Sequence, residues 1–392
     1  MTLIPTLLVL ISCTGKESDE TGGETGDDAY VIPVCDPISG GICTWAGTGE
    51  AGFNGDGFDI RASMMYFPMG VTLSDLGPTV VADWNNHKIR MVEADGTFTT
   101  IMGTNFVGDG PSDLSDLTAP GADGTTVNLN HPTDQVYRSD GILVSASWHT
   151  HKIRTWDPAT GLVLVFAGSG SGFAGDNGEA LSTAKFNQPK DVIFDAAGNL
   201  YVVDMRNEMV RKISTDSTIT TIVGNATKGF CGDDGPGRDA CLAFPLNANP
   251  EPGGSIALSS DGAWLYIADT ENHRIRVYDM VNDVITTLAG NGTAGFADGA
   301  AATAQFNFPR EIDLLDDSTL LVADSDNHRV RRVDLATGTV STFAGTGEAA
   351  FTGDGGPASE ASFNRPFHVT HDQDGNVYVS DTFNHRVRVI YP

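Results

Sequence analysis

Residues 310 to 345 read REIDLLDDSTLLVADSDNHRVRRVDLATGTVSTFAG. Four short runs rich in β-formers, REIDLL, STLLVAD, HRVRRVD and TVSTFAG, are separated by DD, SDN and LATG, which carry turn chemistry. The stretch therefore predicts four antiparallel strands and no helix. Its centre, DSDNHRVRRV from Asp324, returns as DTFNHRVRVI from Asp381, DTENHRIRVY from Asp269 and DWNNHKIRMV from Asp83. Two degenerate copies, SWHTHKIRTW from Ser147 and DMRNEMVRKI from Asp204, complete the set. Six copies spaced 55 to 65 residues apart predict an all-β chain, a six-bladed β-propeller with four-stranded antiparallel blades. On this reading most of the 392 residues form one closed body rather than two or three domains.

The chain ends indicate how the ring closes. The sixth copy stops at Tyr391 and Pro392, directly after its third strand, whereas residues 42 to 49, ICTWAGTG, match the TVSTFAGTG of the fifth copy. The N-terminal strand is expected to complete the last blade and so hide two sheet edges. Gly-rich connections such as AGTGEAGFNGDGFDIRASMMYFP and AGTGEAAFTGDGGPASEASFNRP run between blades. In them Gly supplies positive φ, Asp caps a short helical turn, Phe plugs into the blade and Pro opens the next innermost strand. The repeated GDG also admits a calcium reading, although such a loop needs several oxygen ligands and one Asp per connection is constant.

The pattern D-x-x-N-H-[RK]-[IV]-R, joined to A-G-x-G-x-x-G-F-x-G-D-G and N-x-P, resembles the NHL repeat of six-bladed propellers, with bacterial envelope NHL proteins and the teneurin propeller closest in flavour. The resemblance covers residues 42 to 392. It implies a fold and no single activity, because the family hosts scaffolds, RNA binders and lyases. The repeated residues are accordingly assigned to architecture. Arg90, Arg154, Arg211, Arg276, Arg331 and Arg388 hold the last motif position, and Asp83, Asp204, Asp269, Asp324 and Asp381 close the strand before it. A repeated bond from Asp to Arg, or from Asp to a turn amide, is expected to stitch the second strand to the third. His87, His151, His273, His328 and His385 share one turn position, and a catalytic group is not needed five times around a ring. Ser147 and Glu208 break the pattern, which makes the second and third blades the least regular.

Lys and Arg number 23 against 51 Asp and Glu, giving a formal charge of −28. Eleven of the cations sit at the repeated motif positions, so a basic face that would neutralise phosphates is absent and nucleic acid is excluded as a partner. Hydrophobic residues at 40% supply a core, while 46 Gly and 18 Pro demand many turns. No apolar run approaches the roughly 18 residues of a membrane-spanning helix.

Residues Leu3 to Ile11 are apolar and end in Leu10, Ile11, Ser12 and Cys13, which resembles a lipobox: a small residue before the cut and a thiol that takes the lipid. No Lys or Arg precedes the apolar run, and a plain secretory signal is the alternative. Residues 1–12 are thus expected to be a lipoprotein signal peptide, 13–34 the lipidated Cys13 with an acidic flexible tether, and 35–392 the propeller. In an exported protein the short spacings favour disulfides Cys35 to Cys43 and Cys231 to Cys241, though four cysteines allow three connectivities. Zinc would require C-x₂₋₄-C spacing, which these cysteines lack.

Function is sought where repeated positions carry unrepeated polar residues. The residue two after the strand-opening Pro is expected near the mouth of the central channel, and it reads Gly70, Asp134, Asp191, Ser255, Glu311 and His368 around the ring. Asp134, Asp191, Glu311 and His368 could ring a divalent cation; a solvated channel whose carboxylates face water is the alternative. Arg310, Lys190 and Thr133 precede ring members and could neutralise them or hold an anionic substrate. A zinc lyase of the amidating type would bring three His to the axis, and only His368 stands in register, with His371 beside it; His131 and His149 are likewise unrepeated. No G-x-S-x-G, H-E-x-x-H or P-loop occurs. The leading expectation is a monomeric, lipid-anchored, extracytoplasmic and non-catalytic scaffold for protein or glycan partners at the cell envelope, touching the membrane through its lipid alone. The alternative is a metal-assisted lyase or lactone hydrolase at the channel.

Overall fold

The computed structural model describes residues 38–245 and 251–392. Cys13, Cys35 and the segments expected to be a signal peptide and a tether lie outside the described residues. Six antiparallel sheets follow one another along the chain, and each contains four full strands. In the fifth blade these are Pro309–Asp316, Thr319–Asp324, Arg329–Asp334 and Thr339–Ala344, the four runs with which the sequence reading began. The last blade combines His368–His371, Val377–Asp381 and Arg386–Ile390 with the N-terminal strand Gly41–Ala46, which pairs Ile42 with Ile390 and Thr44 with Arg388. The ring is closed by the first strand.

Four blades gain a further two-residue strand that the sequence did not reveal. Ala122–Asp123, Gly178–Glu179, Gly299–Ala300 and Gly356–Pro357 each lie along the outermost strand of a blade. Single bridges, Asp59 to Thr97 and Gly235 to Ile285, do the same for the first and fourth blades. Each connection thus crosses to the next blade's rim and covers an open edge before it turns inward.

The connection is pinned by charge, and here the structure corrects the sequence reading. The constant Asp of the GDG segment does not cap a helical turn. It meets the motif Arg: Asp109 with Arg154, Asp233 with Arg276 and Asp298 with Arg331, all at 2.5 Å, Asp354 with Arg388 at 2.7 Å, Asp176 with Arg211 at 3.3 Å, and Asp56 with Arg90 at 3.7 Å. On the other side the same guanidinium faces the strand-closing Asp, as in Arg331 to Asp324 at 2.8 Å and Arg276 to Asp269 at 3.2 Å. That Asp also accepts the turn-following Asn side chain and a backbone N–H of the connection, Asn327 at 2.8 Å and the Asn307 amide at 2.7 Å in the fifth blade. Where Ser147 replaces the strand-closing Asp, Arg154 takes Thr150 at 2.8 Å and the buried Asp116 at 3.4 Å instead.

Two Phe residues of the connection divide the plugging role between them. Phe186, Phe244, Phe306 and Phe363 are fully buried between blades. The earlier Phe lies over the guanidinium, with Phe173 4.8 Å from Arg211, Phe230 4.9 Å from Arg276 and Phe296 4.7 Å from Arg331. Gly290 shows why the connection opens with glycine: its φ is +99°, and a Cβ there would lie 2.6 Å from the His273 carbonyl oxygen.

The repeated imidazoles join blades. Each of His385, His87, His151, His273 and His328 is left-handed, and its Nδ1 accepts the N–H of the residue before the next blade's Pro: Phe67, His131, Gln188, Phe308 and Arg365, at 3.0 to 3.3 Å. In the third blade Glu208 does the same work, accepting the Phe244 N–H at 2.7 Å. Burial there pushes its carboxyl up to about 8, against the weaker opposing effect of that hydrogen bond. An acid raised in the folded state stabilises below its unfolded value and loses that contribution as pH rises through the folded value. Glu208→His restores a neutral acceptor. It should stabilise the fold by about 1–2 kcal/mol above pH 8 and destabilise it near pH 5, where burial lowers the imidazole and the unfolded chain binds the proton, as read from thermal melts across that range.

Candidate functional site

The four predicted axial residues lie on innermost strands and are at most 7% exposed. The structure brings them together. Asp134 accepts the Val192 N–H at 3.2 Å, and Asp191 accepts the Ile256 N–H at 2.8 Å, so each carboxylate reaches a neighbouring strand. Asp191 is the charged neighbour of Asp134, and His368 Nε2 stands 3.8 Å from Asp134. Ser255 donates its hydroxyl to Glu311 at 2.5 Å, and Gly70 leaves room for the Asp134 and Gln135 side chains, which a Cβ there would meet at 3.0 and 2.6 Å.

The centre of this cluster holds a cation supplied by the chain. Lys190, itself buried, reaches across from the third blade and pairs with Glu311 of the fifth. Burial lowers the ammonium most, yet Glu311, Asp191 and Asp134 together raise it above the usual lysine value. Burial pushes Glu311 up to about 7 and Asp134 well above the usual carboxylate range, where the neighbouring Asp191 adds to the effect. Burial lowers His368 and keeps it neutral. Among the described residues no three His, Cys, Asp or Glu side chains are arranged to hold a metal ion. His371 lies three residues further along the same strand, 2.5 Å from Asp313, and Cys231 is joined to Cys241 by a disulfide.

Beside the axial cluster lies a cavity that the sequence did not reveal. It measures about 330 Å³ and is lined by Tyr66, Phe67 and Trp84 of the first blade, Phe367 and Phe383 of the sixth, and Glu251 from the insertion of the fourth. Blades one, four and six can share a wall only at the axis, so the cavity marks the channel mouth. A readable signal existed at the residue after the strand-closing Asp. Thr270, Ser325 and Thr382 there donate to the Pro carbonyl of the next blade at 2.5 to 3.0 Å, whereas Trp84 and Trp148 stand in the first two blades. Both indole N–H groups are buried with no hydrogen-bond partner among the described residues. His131 packs on Trp84 and His149 on Trp148, each with ring centroids 4.1 Å apart. Burial holds both imidazoles neutral, lowering His131 to about 3 and His149 to about 4.

Relatives share both repeat and fold. The chain is 30% identical over 306 residues to NHL repeat-containing protein 2 of Bos taurus, which covers 70% of this chain and 40% of that protein. It is 27% identical over 235 residues to Teneurin-1 of Mus musculus, covering 55% of this chain and 8% of that one. Among solved structures, a protein of unknown function from Bacteroides thetaiotaomicron superposes with a TM-score of 0.66 at 18% identity, covering 89% of this chain and 75% of the other. An auxiliary nutrient binding protein from the same organism gives 0.61 at 16%, with the same coverage. No family model matches the chain. This chain belongs to the NHL-repeat propellers.

The NHL propeller spans less than half the length of either curated relative, so their activities do not transfer to it. Among the described residues no helix is long and apolar enough to cross a membrane. The axial pair yields its own test. Lys190→Gln leaves buried carboxylates without their cation and should destabilise the NHL propeller by about 3–5 kcal/mol. Adding Glu311→Gln should recover part of that loss in a chemical denaturation series, because the uncompensated charge is gone.

Proposed function

We propose that the chain is a lipid-anchored, extracytoplasmic NHL propeller that binds protein or glycan partners at the cell envelope without catalysis. The observation that carries this reading is the aromatic cavity at the channel mouth, built from residues the repeat does not require and bearing a few polar groups, the usual make-up of a recognition site. The Lys190 ammonium supports it, since the ring carboxylates already have an internal cation. The nutrient-binding description of a fold neighbour agrees with an extracytoplasmic binding role. The anchor rests on Cys13 alone. Cys13→Ser should therefore move the protein from the detergent-extracted membrane fraction to the soluble one; unchanged partitioning removes the lipid anchor.

Binding is tested by retention of the purified full-length protein on insoluble cell-envelope glycan. Trp84→Ala with Phe383→Ala should reduce retention at least tenfold while the protein keeps a cooperative melt. Equal retention of wild type and variant excludes the cavity as the site. The convergence of Asp134, Asp191, Glu311 and His368 favours a second reading, a metal-assisted lyase or lactone hydrolase. That reading requires Lys190 to leave Glu311, and it expects stoichiometric divalent metal in the isolated protein that Glu311→Gln removes.

A further inference from the structure

Three charged residues at the channel mouth form a set that recurs in no other part of the ring. Arg310 follows the strand-opening Pro, where the other blades carry Met69, Thr133, Lys190 and Phe367. Arg365 precedes that Pro, where Phe67, His131, Gln188 and Phe308 stand elsewhere. Glu251 belongs to an insertion found in the fourth blade only. The fold closes five other blade junctions without this trio.

Its geometry is that of carboxylate recognition. Arg310 is fully buried and fixed from behind, donating to the Glu251 and Pro252 carbonyls at 2.8 and 3.1 Å, while its other terminal nitrogen meets the Glu251 carboxylate at 2.6 Å. Arg365 is steadied by Asp326 at 2.9 Å and turns both terminal nitrogens onto the two oxygens of the same carboxylate. Two guanidinium planes thus converge on one carboxylate, a fork that a sulfur, hydroxyl or single carbonyl would not fill. Arg310 also lies 4.3 Å from the Phe367 ring centre and Arg365 4.9 Å from that of Phe383. Phe367, Phe383 and the Glu251 side chain all line the cavity, and the Glu251 side chain is 36% exposed. The carboxylate therefore sits between a buried cationic fork and an aromatic-walled space large enough for a sugar ring.

We propose that Arg310 and Arg365 form a carboxylate-binding subsite at the channel mouth, that Glu251 occupies it in cis, and that the ligand of the cavity is an acidic sugar of the hexuronate class. The sugar carboxylate replaces that of Glu251 on the fork, and the apolar face of its ring lies against the aromatic wall. No covalent bond changes; one carboxylate is exchanged for another. Two cations exclude a cationic ligand from the aromatic wall, because they already lie on the faces of Phe367 and Phe383. A tethered competitor acts at an effective concentration on the order of millimolar, so Glu251 sets the threshold above which ligand enters.

The inference rests on the reading of the propeller as a binding protein and is tested apart from it. D-glucuronate and D-glucose serve as probes, titrated calorimetrically into full-length wild type and Glu251→Gln. Gln retains an acceptor for one guanidinium, which holds the insertion, and removes the competing charge. Glucuronate should bind Glu251→Gln at least tenfold more tightly than wild type, glucose should show no such gain, and Arg365→Gln added to Glu251→Gln should abolish it. A measurement on wild type alone covers the case in which the variant does not fold: glucuronate well above the threshold should raise the melting temperature, and equal glucose should not. Equal glucuronate affinity in wild type and Glu251→Gln, an equal gain for glucose, or no glucuronate binding to a folded Glu251→Gln each overturns the proposal. Retention on envelope glycan together with any of those results leaves the binding reading standing. A glucuronate gain without such retention removes the envelope-glycan reading and keeps the subsite.

Discussion

A guanidinium with essentially no exposure to water is expensive unless it is paired and hydrogen-bonded, and this protein buries one in every blade. The cost is met by two carboxylates that come from different parts of the chain. One closes the second strand of the blade in five blades, and in the second blade Asp116 stands in for it. The other arrives on the connection from the blade before, with an aromatic ring above it in five of the six blades. Removing either partner would leave the buried Arg short of one counter-charge, so detaching the connection weakens the blade it crosses. The two-residue edge strands and the buried Phe of the connection follow from this anchoring, because a connection tied to the Arg must run along the blade rim before it reaches the axis. The imidazole that accepts the next blade's N–H then fixes blade to blade. Ring closure by Gly41–Ala46 makes the network continuous, and the strand brings Thr44 onto Asp354 at 2.6 Å, the carboxylate that pairs with Arg388.

The repeat made most of this architecture legible. Strand number, blade number and the closing strand could be read because the pattern recurs in register and the final copy lacks a fourth strand that the first residues supply. The partner of the GDG Asp could not be read. An Asp flanked by glycines is equally suited to a turn cap and to an ion pair, and only the three-dimensional crossing of the connection over the blade selects the second. Asp59 and Asp123 do cap 3₁₀ turns a few residues away, which shows how close the two roles lie in sequence. Glu208 was legible as an irregularity but not as a substitution that preserves the interblade acceptor, since carboxylate and imidazole are alike only in the lone pair they present at that point.

The candidate site was legible in part, and for a physical reason. Residues two after the Pro were found because a strand places them on a predictable face. Lys190 was recognised as a neighbour able to neutralise the ring, yet its choice of Glu311, two blades away, depends on the channel's width. The mouth cavity was missed because its walls come from motif positions that read as structural in other blades. Where Thr or Ser would bond the next Pro carbonyl, Trp84 and Trp148 forgo that bond and present rings and N–H groups with no hydrogen-bond partner among the described residues. The loss of a repeated bond, rather than the presence of an unusual residue, marks the sector in which the repeat's own architecture is relaxed.

The same reasoning reconciles an acidic protein with an anion subsite. A formal charge of −28 repels anions at long range, but charges further off than about 8 Å are largely screened at physiological ionic strength, and what a carboxylate meets at the mouth is Arg310 and Arg365. Burial lowers Arg310 to about 10, with Glu251 opposing the shift, so the guanidinium remains charged at neutral pH while losing the water that would weaken its hold on a ligand. A buried cation cannot be left bare when no ligand is present. Glu251 supplies the missing anion, and by doing so it turns a binding surface into an exchange in which only an acid of matching shape has reason to displace it. The acidic surface then serves selection rather than attraction: weakly held anions are kept at a distance, and the site answers to the ligand that can use both the fork and the aromatic wall.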